Sequence, residues 1–188
     1  MKFRLPLLYS LLILLCTPLT AQVDWLWGES YGSDDSEYPF DMITDQAGNI
    51  YITGVMGDTC ILGNDTLYGS TSTSGSAFGH AYVAKYDSSG NVLWATGPDE
   101  AISYSRFYNM VMDEAGDIYI SGYQYDSIIW QGNVYPSFGY TYLIIKMSPQ
   151  GEIIWVKQQN THFNHRPIVY ENGKLWMLGY NNSNFNLD

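Results

Sequence analysis

Covalent cross-links are nearly excluded from the start. The 188-residue chain contains two cysteines, Cys16 and Cys60, and the first lies in an N-terminal apolar stretch. A chain that loses that stretch has no intramolecular disulfide and must be held by packing. Basic residues are scarce as well, eight against nineteen acidic ones, for a net charge of −11 at pH 7. That balance excludes the basic footprint that nucleic acid demands and electrostatic docking on anionic lipid. No nucleophile elbow, phosphate loop or H-E-x-x-H is present. Beyond residue 21 no segment combines a helical period with caps, which leaves an all-β chain. Charged residues are only 14% of the chain while aromatic ones are 16%. There is ample material for a core, and the composition of disorder is missing.

The N-terminus has a clear layout. Lys2 and Arg4 precede an apolar run from Leu5 to Cys16, followed by small and polar residues to Ala21. This is the pattern of a secretory signal peptide over residues 1–21, too short for a membrane span of about 20 apolar residues. A lipidated Cys16 is the competing reading, disfavoured by Leu15 where a small residue is needed. Cleavage after Ala21 removes two of the eight basic residues and none of the nineteen acidic ones, leaving a net charge of −13. The expected location is extracellular or at the cell surface.

The sequence then repeats itself. Asp45, Gly48, Ile50, Tyr51, Ile52 and Gly54 recur 68 positions on as Asp113, Gly116, Ile118, Tyr119, Ile120 and Gly122. Val83–Trp94 is answered by Ile144–Trp155, and a third copy opens at Ile168–Gly179. The Gly/Ser/Thr stretch 69–79 has no full counterpart, which places it in a surface loop. Repeats therefore span about 40–97, 109–158 and an incomplete 167–188.

Each full unit reads as four short strands, in the first at about Phe40–Thr44, Asn49–Thr53, Ala81–Tyr86 and Asn91–Ala95. The turns Asp45-x-x-Gly48 and Asp87-x-x-Gly90 pair an amide-binding carboxylate with a glycine free to take positive φ. Cys60–Gly69 and Ile128–Ser137 each place a Gly-Asn pair between apolar arms, which predicts an extra hairpin. Trp27 stands before Asp45 much as Trp94 stands before Asp113, in the place of a preceding fourth strand. Tandem four-stranded antiparallel units are the signature of β-propeller blades.

These motifs resemble the secreted β-propeller repeats of Bacteroidetes-type bacteria, the seven-bladed β-propeller repeat family. The family pattern D-x-x-G-N-x-Y-x-T-G, a variable hairpin, then F/Y-V-A-K-Y/L-D-x-x-G-x-x-x-W is matched by Asp45–Gly54 with Tyr82–Trp94, and again, with substitutions, by Asp113–Gly122 with Leu143–Trp155. The resemblance covers nearly all of 23–188 and transfers no catalytic residue. It implies many blades and a C-terminal sorting module. Propellers close with about 4 to 8 blades, so two units and part of a third imply a fragment, assembly of copies, or an open array.

Candidate sites are few. The cluster Ser33–Glu37 offers Asp34, Asp35 and Glu37 as calcium ligands, without the spacing of an EF-hand. His162 and His165 lack a third and fourth ligand, with Cys60 and His80 distant in sequence. No cofactor is expected. Trp130, Tyr135, Phe138, Tyr140 and Tyr142 crowd the second hairpin and its exit. Burial between units is their commoner role, and Trp130, Tyr135 and Tyr140 are the candidates for touching a glycan or protein partner. Asp65-Thr66-Leu67 and Asp126-Ser127-Ile128 resemble short O-glycan acceptors of the same bacterial group. The expectation is a non-enzymatic scaffold or binding protein, self-associating or completed by further blades. The alternative is a glycan-binding or glycan-active propeller whose site needs blades absent from this sequence.

Mass spectrometry of the protein exported from its bacterial host should find Gln22 at the N-terminus. A chain starting at Met1, or acylated at Cys16, contradicts the signal-peptide reading.

Overall fold

The computed structural model describes residue 28 and residues 37–57, 59–69, 79–99, 104–159 and 167–177. The signal-peptide segment, Trp27, Asp34, Asp35, His162, His165 and most of the Gly/Ser/Thr insert lie outside the described residues. Within them every element is a strand, and no helix is long and apolar enough to cross a membrane.

The first sheet joins β1 (Glu37–Thr44), β2 (Ile50–Met56), β5 (His80–Tyr86) and β6 (Val92–Thr96) in the order β1-β2-β5-β6. Between β2 and β5 the chain throws out the hairpin β3 (Cys60–Leu62) and β4 (Asp65–Leu67). The second sheet repeats the plan with β7 (Ser105–Met112), β8 (Ile118–Tyr125), β11 (Tyr140–Met147) and β12 (Ile153–Gln159) in the order β7-β8-β11-β12. Its hairpin is β9 (Ile128–Trp130) with β10 (Asn133–Tyr135). A last hairpin, β13 (Ile168–Glu171) and β14 (Lys174–Met177), opens the third copy. All pairings are antiparallel.

The sheets are tandem, as the repeats predicted, and among the described residues no sheet closes on itself. Strand β1 starts at Glu37, earlier than expected, because a bulge between Pro39 and Asp41 lets pairing resume beyond it. The same bulge interrupts β7 between Phe107 and Asn109. Opposite each bulge sits the motif's last glycine, Gly54 or Gly122, and the close approach explains that residue. A Cβ on Gly122 would lie 2.1 Å from the Arg106 carbonyl oxygen, and one on Gly54 2.2 Å from that of Tyr38.

The repeated Asp holds each first turn. Asp45 Oδ1 accepts from the amides of Ala47 and Asn49 at 3.0 and 2.9 Å, and Asp113 Oδ1 accepts from Ala115 and Asp117 at the same distances. Gly48 and Gly116 take φ of 81° and 88° at the fourth position, a conformation open to glycine at little cost. The other carboxylate oxygen receives the hydroxyl of Tyr51 or Tyr119. Above it sits Lys85, 3.8 Å from Asp45 and 4.7 Å above the Tyr51 ring, or Lys146, 3.3 Å from Asp113 and 5.0 Å above Tyr119. Trp94 and Trp155 close the two clusters edge-on against those tyrosines.

One core lies between the sheets. Tyr51, Ala81 and Val83 meet Phe107, Met110, Ile118, Ile120, Leu143, Ile145 and Met147, with Ile128 and Trp130 of the hairpin folded in. Polar ties cross the same interface: Met110 N donates to Asp41 Oδ2 at 2.7 Å, Ala81 N to Ser105 Oγ at 3.0 Å, and Trp130 Nε1 to Thr96 Oγ1 at 2.8 Å. A smaller core under β3–β4 covers the other face of the first sheet with Met56, Cys60, Leu62, Leu67, Ala84 and Tyr86.

Gly122→Ala and Gly54→Ala should each lower unfolding free energy by about 3 kcal/mol, the scale of forced overpacking, as read by urea denaturation. A loss below about 1 kcal/mol, the range of a surface change, would mean that the bulges do not press on these glycines.

Candidate functional site

The Asp turns mark one end of each sheet, and the opposite end is set by the pairings Glu37–Met56 and Met56–His80. At that end, where β1 and β2 face the start of β7, a cleft of about 340 Å³ opens. Tyr38, Phe40, Val55 and Met56 give it apolar and aromatic walls, Gly79 keeps one wall low, and Arg106 supplies the charge. Tyr38 and Phe40 are exposed despite their size.

Arg106 stands at the edge of a ladder of rings. Phe40 lies 5.0 Å from Tyr108, Tyr108 5.8 Å from Tyr123, and Tyr123 5.6 Å from Tyr140. Tyr140 meets Tyr125 edge-on at 5.0 Å, and Tyr125 stacks on Tyr104 at 5.1 Å with an interplanar angle of 6°. Burial works against the Arg106 charge, yet a hydrogen bond with Tyr108 and the neighbouring phenols raise its pKa on balance. Its Nε is buried and has no hydrogen-bond partner. Burial also raises the pKa of Tyr104 and Tyr123, so these two phenols stay neutral in ordinary solution.

The candidate aromatics separate in this setting. Trp130 is fully buried, stacked 5.3 Å from Phe107 in the inter-sheet core. Tyr135 is half-buried against the same core, and Tyr142 is buried. Tyr140 is 43% exposed, in the ring ladder, and Phe138 stands almost wholly in solvent. The ladder and Arg106 went unread in the sequence, although Tyr104-Ser-Arg-Phe-Tyr108 and Tyr123-Gln-Tyr125 carry it, joined by the pairing of Arg106 with Tyr123.

Glu37 begins β1, and its charge together with burial raises the pKa of the Cys60 thiol, burial being the larger cause. Among the described residues no group of three or more His, Cys, Asp or Glu side chains gathers closely enough to hold a metal ion. Thr66 is exposed on β4, whereas Ser127 Oγ accepts from Ser137 N at 3.1 Å and so has a local role.

A second cleft, of about 460 Å³, lies at the turn end between Asp45 and Asp113. Its acids are engaged: Asp45 and Asp113 hold their turns and lysines, and Glu114 receives the Tyr170 hydroxyl, raising the Tyr170 pKa to about 12. Tyr170 stacks on Tyr119 at 5.5 Å, docking the last hairpin on the far face of the second sheet.

His80, next to Gly79 of the first cleft, is completely buried with neither ring nitrogen hydrogen-bonded. Burial alone lowers its pKa from 6.5 to about 4. The chain matches no protein-family model and no curated protein.

The unfolded chain protonates His80 near pH 6.5 and the folded one only near pH 4. Its contribution to stability is therefore full above pH 6.5 and lost as pH falls toward 4, by about 3 kcal/mol for a shift of this size. Urea unfolding at pH 7.5 and 4.5 should show that loss in the native sequence and a flatter profile in His80→Leu. Equal pH dependence in both would contradict a buried neutral imidazole.

Proposed function

We propose that this is an exported, non-enzymatic binding module of the β-propeller type, whose four-stranded sheets are blades. The reading rests first on form: two sheets share one strand order, one Asp-headed first turn and one extra hairpin, and pack face to face. The hairpin β13–β14 docks on the far face of the second sheet through Tyr170.

One observation carries the binding role. The acids that the repeats supply are committed to turns and lysines, while the cleft at the other end presents aromatic and apolar walls with a single guanidinium. Those are the features of a recognition surface: apolar area for affinity and a few polar groups for orientation. The Lys2/Arg4 and Leu5–Cys16 pattern supports export, and the acidic net charge supports dispersal outside the cell. Exposed Tyr38, Phe40 and Tyr140 favour a second reading, a glycan-binding or glycan-active propeller completed by further blades or copies.

Incubation of residues 22–188 with a polysaccharide panel should leave reducing-end counts unchanged, while a surface-binding assay against glycans and envelope proteins detects retention. Released reducing ends would overturn the non-enzymatic reading.

A further inference from the structure

We propose that the cleft of Tyr38, Phe40, Val55, Met56 and Arg106 binds a small organic carboxylate with an apolar or aromatic body, its carboxylate held by the Arg106 guanidinium. This rests on the binding-module reading and names the ligand class.

The first argument is charge. The chain has nineteen acidic residues and eight basic ones. Lys85 and Lys146 are paired with Asp45, and with Asp113 and Asp117. Among the described residues no carboxylate pairs with Arg106, although the chain is rich in them; Tyr108 bonds its guanidinium, and its Nε is buried without a partner. A buried donor left unmade costs free energy, and a charged one costs more. A planar carboxylate is the natural complement, because guanidinium presents parallel N–H groups at matching spacing.

The second argument is the wall. The side chains of Phe40, Val55 and Met56 carry only carbon and sulfur, Tyr38 adds a ring with one hydroxyl, and Gly57 and Gly79 leave backbone in the wall. An inorganic anion would leave these surfaces in water and gain nothing from them. A sugar acid would bring several hydroxyls to a site with few partners for them, and buried unpaired hydroxyls oppose binding. An aryl or branched alkyl body uses the walls, and a volume of about 340 Å³ lies at the small end of ligand pockets, suited to a one-ring molecule.

Calorimetry on residues 22–188 with phenylacetate, phenylacetamide and glucuronate tests this. Phenylacetate should bind saturably with Kd of about 1 mM or tighter, and phenylacetamide about tenfold more weakly, the scale of one lost charge-assisted bond. Arg106→Gln should lose at least as much, Arg106→Lys should keep part of the affinity, and Phe40→Ala should weaken both aryl ligands. Glu114→Gln, in the other cleft, should change nothing. Circular dichroism must match the native sequence in each variant; if Arg106→Gln misfolds, Arg106→Lys and the acid-to-amide ratio decide. Equal binding of acid and amide, native affinity in Arg106→Gln, or no saturable phenylacetate binding overturns the carboxylate site. Tighter binding of glucuronate overturns the apolar-body assignment. Absence of all three here, with retention in the glycan and protein assay, removes this site and leaves the binding reading standing.

Discussion

A four-stranded antiparallel sheet has two faces, and this chain makes both of them apolar. Everything else follows from the need to cover them. The second sheet turns Ile118, Ile120, Leu143, Ile145 and Met147 toward the first and excludes water from them completely. Its other face receives Tyr170 on Tyr119. The first sheet lays Ala81 and Val83 into the shared core and covers its remaining face with its own hairpin, through Cys60, Leu62 and Leu67. The corresponding Ile50 and Ile52 are only partly buried, although they stand where Ile118 and Ile120 stand in the second sheet. A further sheet of the same kind would complete that face, and this supports the propeller reading.

The repeated polar clusters make such stacking regular. Asp45 and Asp113 fix the geometry of a turn through backbone amides, then offer their second oxygen to a tyrosine and a lysine of the same sheet. The lysine in turn lies over the tyrosine ring. Trp94 and Lys85 both donate to the Pro149 carbonyl oxygen, at 3.1 and 3.3 Å, so the cluster of one sheet grips the turn of the next. One end of each sheet is thus committed to assembly. The other end holds Arg106, the ring ladder and buried His80, and it is there that the proposed recognition is placed.

Much of this was legible in the residues. The 68-residue echo from Asp45 to Asp113 located both sheets, and the Gly-Asn pairs located both extra hairpins, because turn chemistry is local and each turn carries its own acceptor and its own positive-φ residue. The bulges escaped notice because a bulge is a property of two strands at once. Gly54 and Gly122 were visible, but the carbonyl pressing on each comes from a strand far away in sequence. The cleft was hidden for the same reason: Tyr38, Met56 and Arg106 come together only when the sheets stack. Trp130 illustrates the ambiguity of an aromatic residue in a sequence, since only the pairing with Phe107 and Thr96 reveals it as core.

The central claim is that the two sheets share one core and fold as one unit. Native-state hydrogen exchange, resolved by strand, tests it most directly. The account predicts that amides of β2, β5, β8 and β11 exchange through a single common opening with one denaturant dependence, while β13–β14 exchanges faster. Separate opening free energies for the first and second sheets, with β2 and β5 exchanging while β8 and β11 stay protected, would contradict it.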